Sequence, residues 1–172
     1  VNGIIALPIE GEAITSAEPE QFLSFEVDAP ECLVEDINVA INLEHTWVGD
    51  IELELIAPSG ASVDLVDNQC GINDDMNVVF DDQGAAWSCA AAVPGTGASL
   101  QLPMGQLADL NGEELSGTWM LRWDDTVGGD QGEFISASVI FNNGQIVCGN
   151  NVTADDYLSA NGSPCNIVDL VV

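Results

Sequence analysis

Apolar and polar residues alternate along most of this chain, and a period of two predicts strands rather than helices. In residues 44–60, EHTWVGDIELELIAPSG, Ile51, Leu53 and Leu55 fall on one face and Glu52 and Glu54 on the other. A polar turn with His45 and Asp50 precedes this run and Pro58-Ser59-Gly60 ends it, which makes it a half-buried strand between two turns. Leu23, Phe25 and Val27 alternate before Pro30, and Ile37, Val39, Ile41 and Leu43 form a clean face leading straight to His45. Val63 and Leu65 give the return arm of a hairpin. Residues 117–132, GTWMLRWDDTVGGDQG, repeat the logic: Trp119, Leu121 and Trp123 share a face, and an Asp- and Gly-rich turn follows. Ile135, Ala137, Val139 and Phe141 predict the last core strand, after which Asn142-Asn143-Gly144 turns the chain.

Nowhere does an apolar pattern of helical period persist for three turns, so the expected class is all-β, with short strands arranged as a sandwich or jelly roll. Residues 1–30 read as an N-terminal extension with edge strands, 31–148 as the main domain, and 149–172 as a polar tail ending in an apolar strand. Residues 67–116 are the least regular part. There a short strand is expected over 76–80, a Cys70–Cys89 bridge is expected to pin a long loop, and 100–115 is ambiguous between a strand with a helical turn and plain loop. A bridge closing that loop would stabilise by roughly 3 kcal/mol on the chain-entropy argument.

Composition sharpens this picture. The 172 residues are 47% hydrophobic, enough for one sizeable core, yet they carry 29 Asp and Glu against the single basic residue Arg122, for a net charge of −28. Such self-repulsion opposes compaction unless cations, salt or protonation screen it. A polyanion of this kind cannot neutralise phosphates, which excludes nucleic acid and anionic lipid as direct partners. No apolar run approaches the roughly 20 residues that span a bilayer. Because the sequence opens at Val1, it is expected to be a processed or excised piece of a larger exported protein. The five cysteines, Cys32, Cys70, Cys89, Cys148 and Cys165, show no CxxC spacing, which favours disulfides and an oxidising compartment over thiolate metal sites. Cys148 can pair with Cys32 or equally with Cys165. Sequons at Asn151 and Asn161 fit an exposed tail.

Calcium is the leading candidate cofactor, since it takes about six to eight oxygen ligands from carboxylates and carbonyls on sharply turning loops. The candidate ligands are Asp50, Asp74, Asp75, Asp81, Asp82, Asp125 and Asp130, all in turns at strand ends. The competing reading makes them solvated Asx-turn residues. Catalysis is not expected. His45 is the sole histidine on which a nucleophile could be built, and its place in the turn suits a structural hydrogen bond. Trp119 and Trp123 lie on a core-facing alternation, Trp87 is the tryptophan expected to contact a ligand or partner, and Arg122 is expected to pair with a carboxylate on the outer face.

Taken in order, His45-Thr46-Trp47 with Gly49-Asp50, Pro58-Ser59-Gly60, Gly117-Thr118-Trp119 with Leu121, and Gly129-Asp130 with Gly132 resemble the P domain that follows the catalytic domain in proprotein convertases and recurs in secreted bacterial proteins. The match spans roughly residues 34–141. It departs from the common pattern at Gln83 and at Ala137, where an acidic residue and an aromatic are often found. The resemblance implies a galactose-binding-like jelly roll without an active site, an accessory or stabilising role beside a secreted enzyme such as a serine protease, and calcium near Asp50, Asp81, Asp82 and Asp130. Expected partners are other domains of the parent protein or identical subunits, outside the cell or on its surface. One rival reading makes the chain a self-assembling subunit of an extracellular filament or surface layer, lending the strand that holds Ile167, Val168, Leu170 and Val171 to a neighbour. Another makes it a carbohydrate-binding module using Trp87.

Overall fold

In the computed structural model of the chain, residues 2–18, 20–89, 99–146 and 148 are described. Among the described residues, ten strands run in the order β1 (Asn2–Leu7), β2 (Ala13–Ile14), β3 (Gln21–Val27), β4 (Ile37–His45), β5 (Ile51–Ile56), β6 (Ser62–Asp67), β7 (Met76–Ala85), β8 (Ser99–Gln101), β9 (Gly117–Asp125) and β10 (Gly132–Gln145). They form two sheets that pack as an all-β, jelly-roll-like sandwich. One has the order β1-β10-β4-β7-β8, with β2 also on β10, and the other the order β3-β9-β5-β6. All pairings are antiparallel except β7 with β8. No helix among the described residues is long and apolar enough to cross a membrane.

The inward faces are those the alternation predicts. Ile37, Val39, Ile41 and Leu43 of β4, Ile51, Leu53 and Leu55 of β5, and Trp119, Leu121 and Trp123 of β9 are all buried. Two edge-to-face pairs bridge the sheets, Trp119 with Phe141 at 5.0 Å and Trp123 with Phe134 at 5.2 Å. The indole N–H groups are satisfied by the Leu115 and Ala13 carbonyls, so both tryptophans are packing residues.

Three expectations change on contact with the structure. Phe134, not Ile135, enters the core, because a bulge between Phe134 and Ser136 inserts a residue and shifts the phase of β10. The strand expected over 76–80 extends to Ala85 as β7, gaining parallel partners in β8. Asn142-Asn143-Gly144 does not end β10. All three residues adopt positive φ and kink it, so that Gln145 pairs with Asn2 and the chain is carried to Cys148. Cys148 is bonded to Cys32, and Cys70 to Cys89. Residues 1–30 supply an edge strand to each sheet, β1 and β3. Cys165, both sequons and the strip Ile167, Val168, Leu170 and Val171 lie outside the described residues.

Arg122 sits on the outer face of the smaller sheet. It pairs with Glu20, with Glu52 Oε2 at 3.2 Å and with Glu54 Oε2 at 3.7 Å. Its position is partly shielded, and three carboxylates gather round the chain's only strong base.

Candidate cation site

One end of the sandwich gathers six of the polar residues singled out above. β4 ends at His45, which pairs with Gly132 at the start of β10, and Ile51 at the start of β5 pairs with Asp125 at the end of β9. That register brings the turn of residues 46–50 against the turn of residues 126–131. Two glycines permit the approach. A Cβ on Gly132 would collide with the Glu44 carbonyl oxygen and press on the His45 ring, and one on Gly49 would lie 2.5 Å from the Gly71 Cα.

His45 and Asp125 are buried, with side chains fully shielded from solvent, and His45 Nε2 stands 3.6 Å from Asp125 Oδ2. His45 Nδ1 accepts the Trp47 backbone N–H at 3.2 Å, which places the ring proton on Nε2, facing the carboxylate. Asp125 also accepts backbone N–H groups from Ser16, at 2.9 Å on Oδ2, and from Val127, at 3.3 Å on Oδ1. Asp130 Oδ2 accepts the Thr46 hydroxyl at 3.3 Å. One potential ligand atom from each of His45, Asp125 and Asp130 lies within 4.8 Å of the others. The Asp50 carboxyl is pushed above its ordinary 3.8 by burial first and then by Asp130 and Asp125, with His45 opposing. The cluster is a set of carboxylates crowded without a cationic side chain among them.

Asp75 belongs to the same end but serves the backbone. At φ +60°, its Oδ1 accepts the His45 N–H at 3.0 Å and its own N–H donates to the His45 carbonyl at 2.8 Å. Asp74 is exposed beside it. Asp81 and Asp82 are not brought to this end. Val39 pairs with Phe80 and Leu43 with Met76, so the two aspartates lie near the start of β4 while Asp50, Asp125 and Asp130 lie near its finish.

There Asp82 has a different task. Its carboxylate accepts the Leu107 N–H at 3.0 Å and the Ala108 N–H at 2.7 Å, capping the short 3-10 helix Leu107–Leu110, which buries Leu107 and Leu110 under the sandwich. Asp82→Ala is expected to cost about 1–2 kcal/mol, read as a lower urea midpoint with unchanged slope.

Trp87 is half-buried. It stacks on Phe80 with centroids 5.6 Å apart and an interplanar angle of 11°, and its Nε1 lies 3.0 Å from Cys70 Sγ. The ring packs the disulfide against β7.

A pH dependence follows from the crowding. Asp36, Asp50 and Asp64 all have carboxyls raised above 3.8, each mainly by burial and then by neighbouring carboxylates. The folded state therefore binds protons that the unfolded state has released. Their contribution is fully present below 3.8 and is lost as pH rises through the elevated values. In chelator, the midpoint of thermal unfolding is expected to rise as pH is lowered from 7 toward that window. A monotonic fall across the same range would contradict it.

Residues 34–141 match the family described as the proprotein convertase P-domain. No curated protein sequence matches the chain significantly. Among solved structures, a chain in the crystal structure of the Aeromonas sobria serine protease and chaperone complex superposes with a TM-score of 0.51 at 19% identity, covering 80% of this chain and 26% of that one. The serine protease of Aeromonas sobria alone gives 0.47 at 19% identity, over 82% of this chain and 27% of the protease. The present chain thus spans about a quarter of the length of the structures it matches. At that identity the likeness extends to the fold, whereas the family match covers most of the sequence, from the strand before His45 to the last core strand. The chain belongs to the proprotein convertase P-domain family.

Proposed function

We propose that the chain is a non-catalytic, calcium-stabilised accessory module of a secreted protein, working beside other domains of its parent. The observation that carries this reading is the convergence of Asp50, Asp125 and Asp130 at one end of the sandwich with no lysine or arginine among them. Their chemistry fits a hard dication. Calcium prefers carboxylate and carbonyl oxygens, and these three side chains with the Thr46 hydroxyl are a set of oxygen donors. His45 suits the role of a neighbour better than that of a ligand, because its Nε2 carries a proton while Nδ1 holds the Trp47 N–H. A bound dication would also relieve the repulsion from Asp130 and Asp125 that, after burial, raises the Asp50 carboxyl.

Two disulfides support an oxidising, extracellular setting. The family supports the accessory role, since a P-domain acts beside a catalytic domain rather than as one. The likeness to a chain of a serine protease and chaperone complex makes such an enzyme the natural parent.

The test is thermal unfolding of the full chain, metal-free and with added calcium chloride, alongside its mass by light scattering. A site saturated to about a hundred times its dissociation constant adds about 2.7 kcal/mol, a rise of several degrees, and Asp130→Asn should abolish most of it. Equal melting midpoints with calcium and with chelator would overturn the calcium reading. A large assembly in place of a monomer would overturn the accessory reading in favour of a structural subunit.

A further inference from the structure

The two outer faces of the sandwich differ in charge. On the smaller sheet Glu52 pairs with Asp67 and with Asp124, and Glu54 with Asp64, so carboxylates stand side by side around Arg122. The larger sheet is the opposite. Ala6 pairs with Ser138, Ser138 with Ala40, Ala40 with Val79 and Val79 with Leu100, a single row across all strands of the path β1-β10-β4-β7-β8. These positions alternate with the buried Leu7, Val139, Val39, Phe80 and Gln101, so the row faces outward.

The next row on one side holds Ile4, Ile140 and Asn38, and on the other Ser136, Asn42 and Asn77. None of these side chains is charged, in a chain with 29 Asp and Glu. Carboxylates return only at the margins, with Glu44 paired to Glu133 at one and Asp36 and Asp81 at the other. Ile4 is 49% exposed and Leu100 52%, on the two edge strands of this face. A neutral, partly aliphatic surface on a polyanion that has carboxylates to spare is the mark of a surface that meets another one.

Charge also selects the partner. A basic protein gains most over the smaller sheet, where carboxylates crowd, and gains nothing here. A second copy carries the same net charge of −28 and is repelled by the acidic face, so it can approach where neither surface bears charge.

We propose that the outer face of the larger sheet is a homodimer interface, on which two copies stack about a two-fold axis passing near Ala40. Ala40 occupies the middle row of the middle strand, and its small side chain lets the sheets come to about the 10 Å of packed sheets. Asn38 and Asn42 flank it along β4, and amides both donate and accept, so a symmetric pair of faces can satisfy itself. Three rows about 6.7 Å apart on five strands about 4.8 Å apart offer some 500 Å² per copy, roughly 1,000 Å² in all. That is the lower bound of specific interfaces, so pairing is reversible, with a dissociation constant on the order of 10–100 μM. The contact uses neither the cation site nor residues 167–172, and one isologous contact closes the assembly at two copies.

The experiment is sedimentation equilibrium of the full chain in chelator, from about 1 μM to 1 mM, at low salt and in about 1 M sodium chloride. The mass is expected to rise from one chain to two and stop there. High salt should tighten pairing several-fold, because it screens the repulsion between the acidic remainders of the two copies. Ala40→Glu and Ala40→Lys should each weaken pairing at least tenfold, and an equimolar mixture of the two should pair again, because opposite charges then meet near the axis. Ser24→Glu, on the outer face of the smaller sheet, should leave pairing unchanged. Thermal unfolding shows that each variant is folded. A single-chain mass throughout would overturn the proposal, as would pairing that survives Ala40→Glu, pairing weakened by salt, or growth beyond two copies. Should the Ala40 variants fail to fold, the wild-type masses and Leu100→Glu, at the exposed end of the row, still decide. Calcium enters none of these measurements, so failure here leaves the cation site standing.

Discussion

Replacing Cys32 and Cys148 together with serine is expected to lower the stability of the fold by about 5 kcal/mol, the largest effect of any covalent change in the chain. The bridge joins residues 116 apart, and on the chain-entropy argument the cost of leaving so long a loop open in the unfolded state grows with the logarithm of its length. It also encloses the whole of residues 34–141 that match the family. Its ends flank β4 and β10, neighbours in the larger sheet, so the bond clamps strands that are far apart in sequence. Cys32 is 2% exposed, and a serine hydroxyl there adds the cost of burying a polar group. The Cys70–Cys89 bridge spans only 19 residues, so its removal should cost about 3 kcal/mol. Equilibrium urea unfolding of the two double variants checks the order. A short-loop variant that loses more than the long-loop one would show that local packing, such as Trp87 against Cys70, outweighs loop entropy.

Much of the sandwich was legible because its strands keep one face apolar, and that information is local. The same reading extends further than the apolar residues. His45 continues the inward series Ile37, Val39, Ile41, Leu43, and Asp125 continues Trp119, Leu121, Trp123. A polar residue in the buried phase at the end of each of two strands is the signal for the His45–Asp125 pair, and it stands in the sequence once parity is carried past the last apolar position. What parity cannot carry is register. The Asp doublets look alike as acidic turns, but only the pairing of Val39 with Phe80 sends Asp81 and Asp82 to one end of the sandwich and leaves Asp50 and Asp130 at the other. Nor does alternation reveal a bulge, which is why Ile135 reads as inward and Phe134 is.

Asp125→Ala is expected to cost about 3–5 kcal/mol in chelator, because one carboxylate holds together groups from three parts of the chain. Removal leaves the Ser16 and Val127 backbone N–H groups without their acceptor and takes away the buried carboxylate that His45 Nε2 faces at 3.6 Å. An orphaned buried donor costs about 1–3 kcal/mol. Ser16 follows β2, Val127 follows β9 and His45 ends β4, so the loss also loosens the rim that holds Asp50 and Asp130 near each other. The relief of one negative charge works in the opposite direction and offsets part of these two penalties. Asp125→Asn keeps one acceptor oxygen and should lose less than Ala. Measuring both in chelator and again in calcium separates two roles of this carboxylate. The deficit in chelator belongs to the hydrogen bonds, and any widening of the gap from wild type when calcium is added belongs to the cation. A loss under about 1 kcal/mol in chelator would mean that water or the Asp130 carboxylate takes over these donors, and the buried pair would then have to be regarded as an ornament of the cation site rather than its foundation.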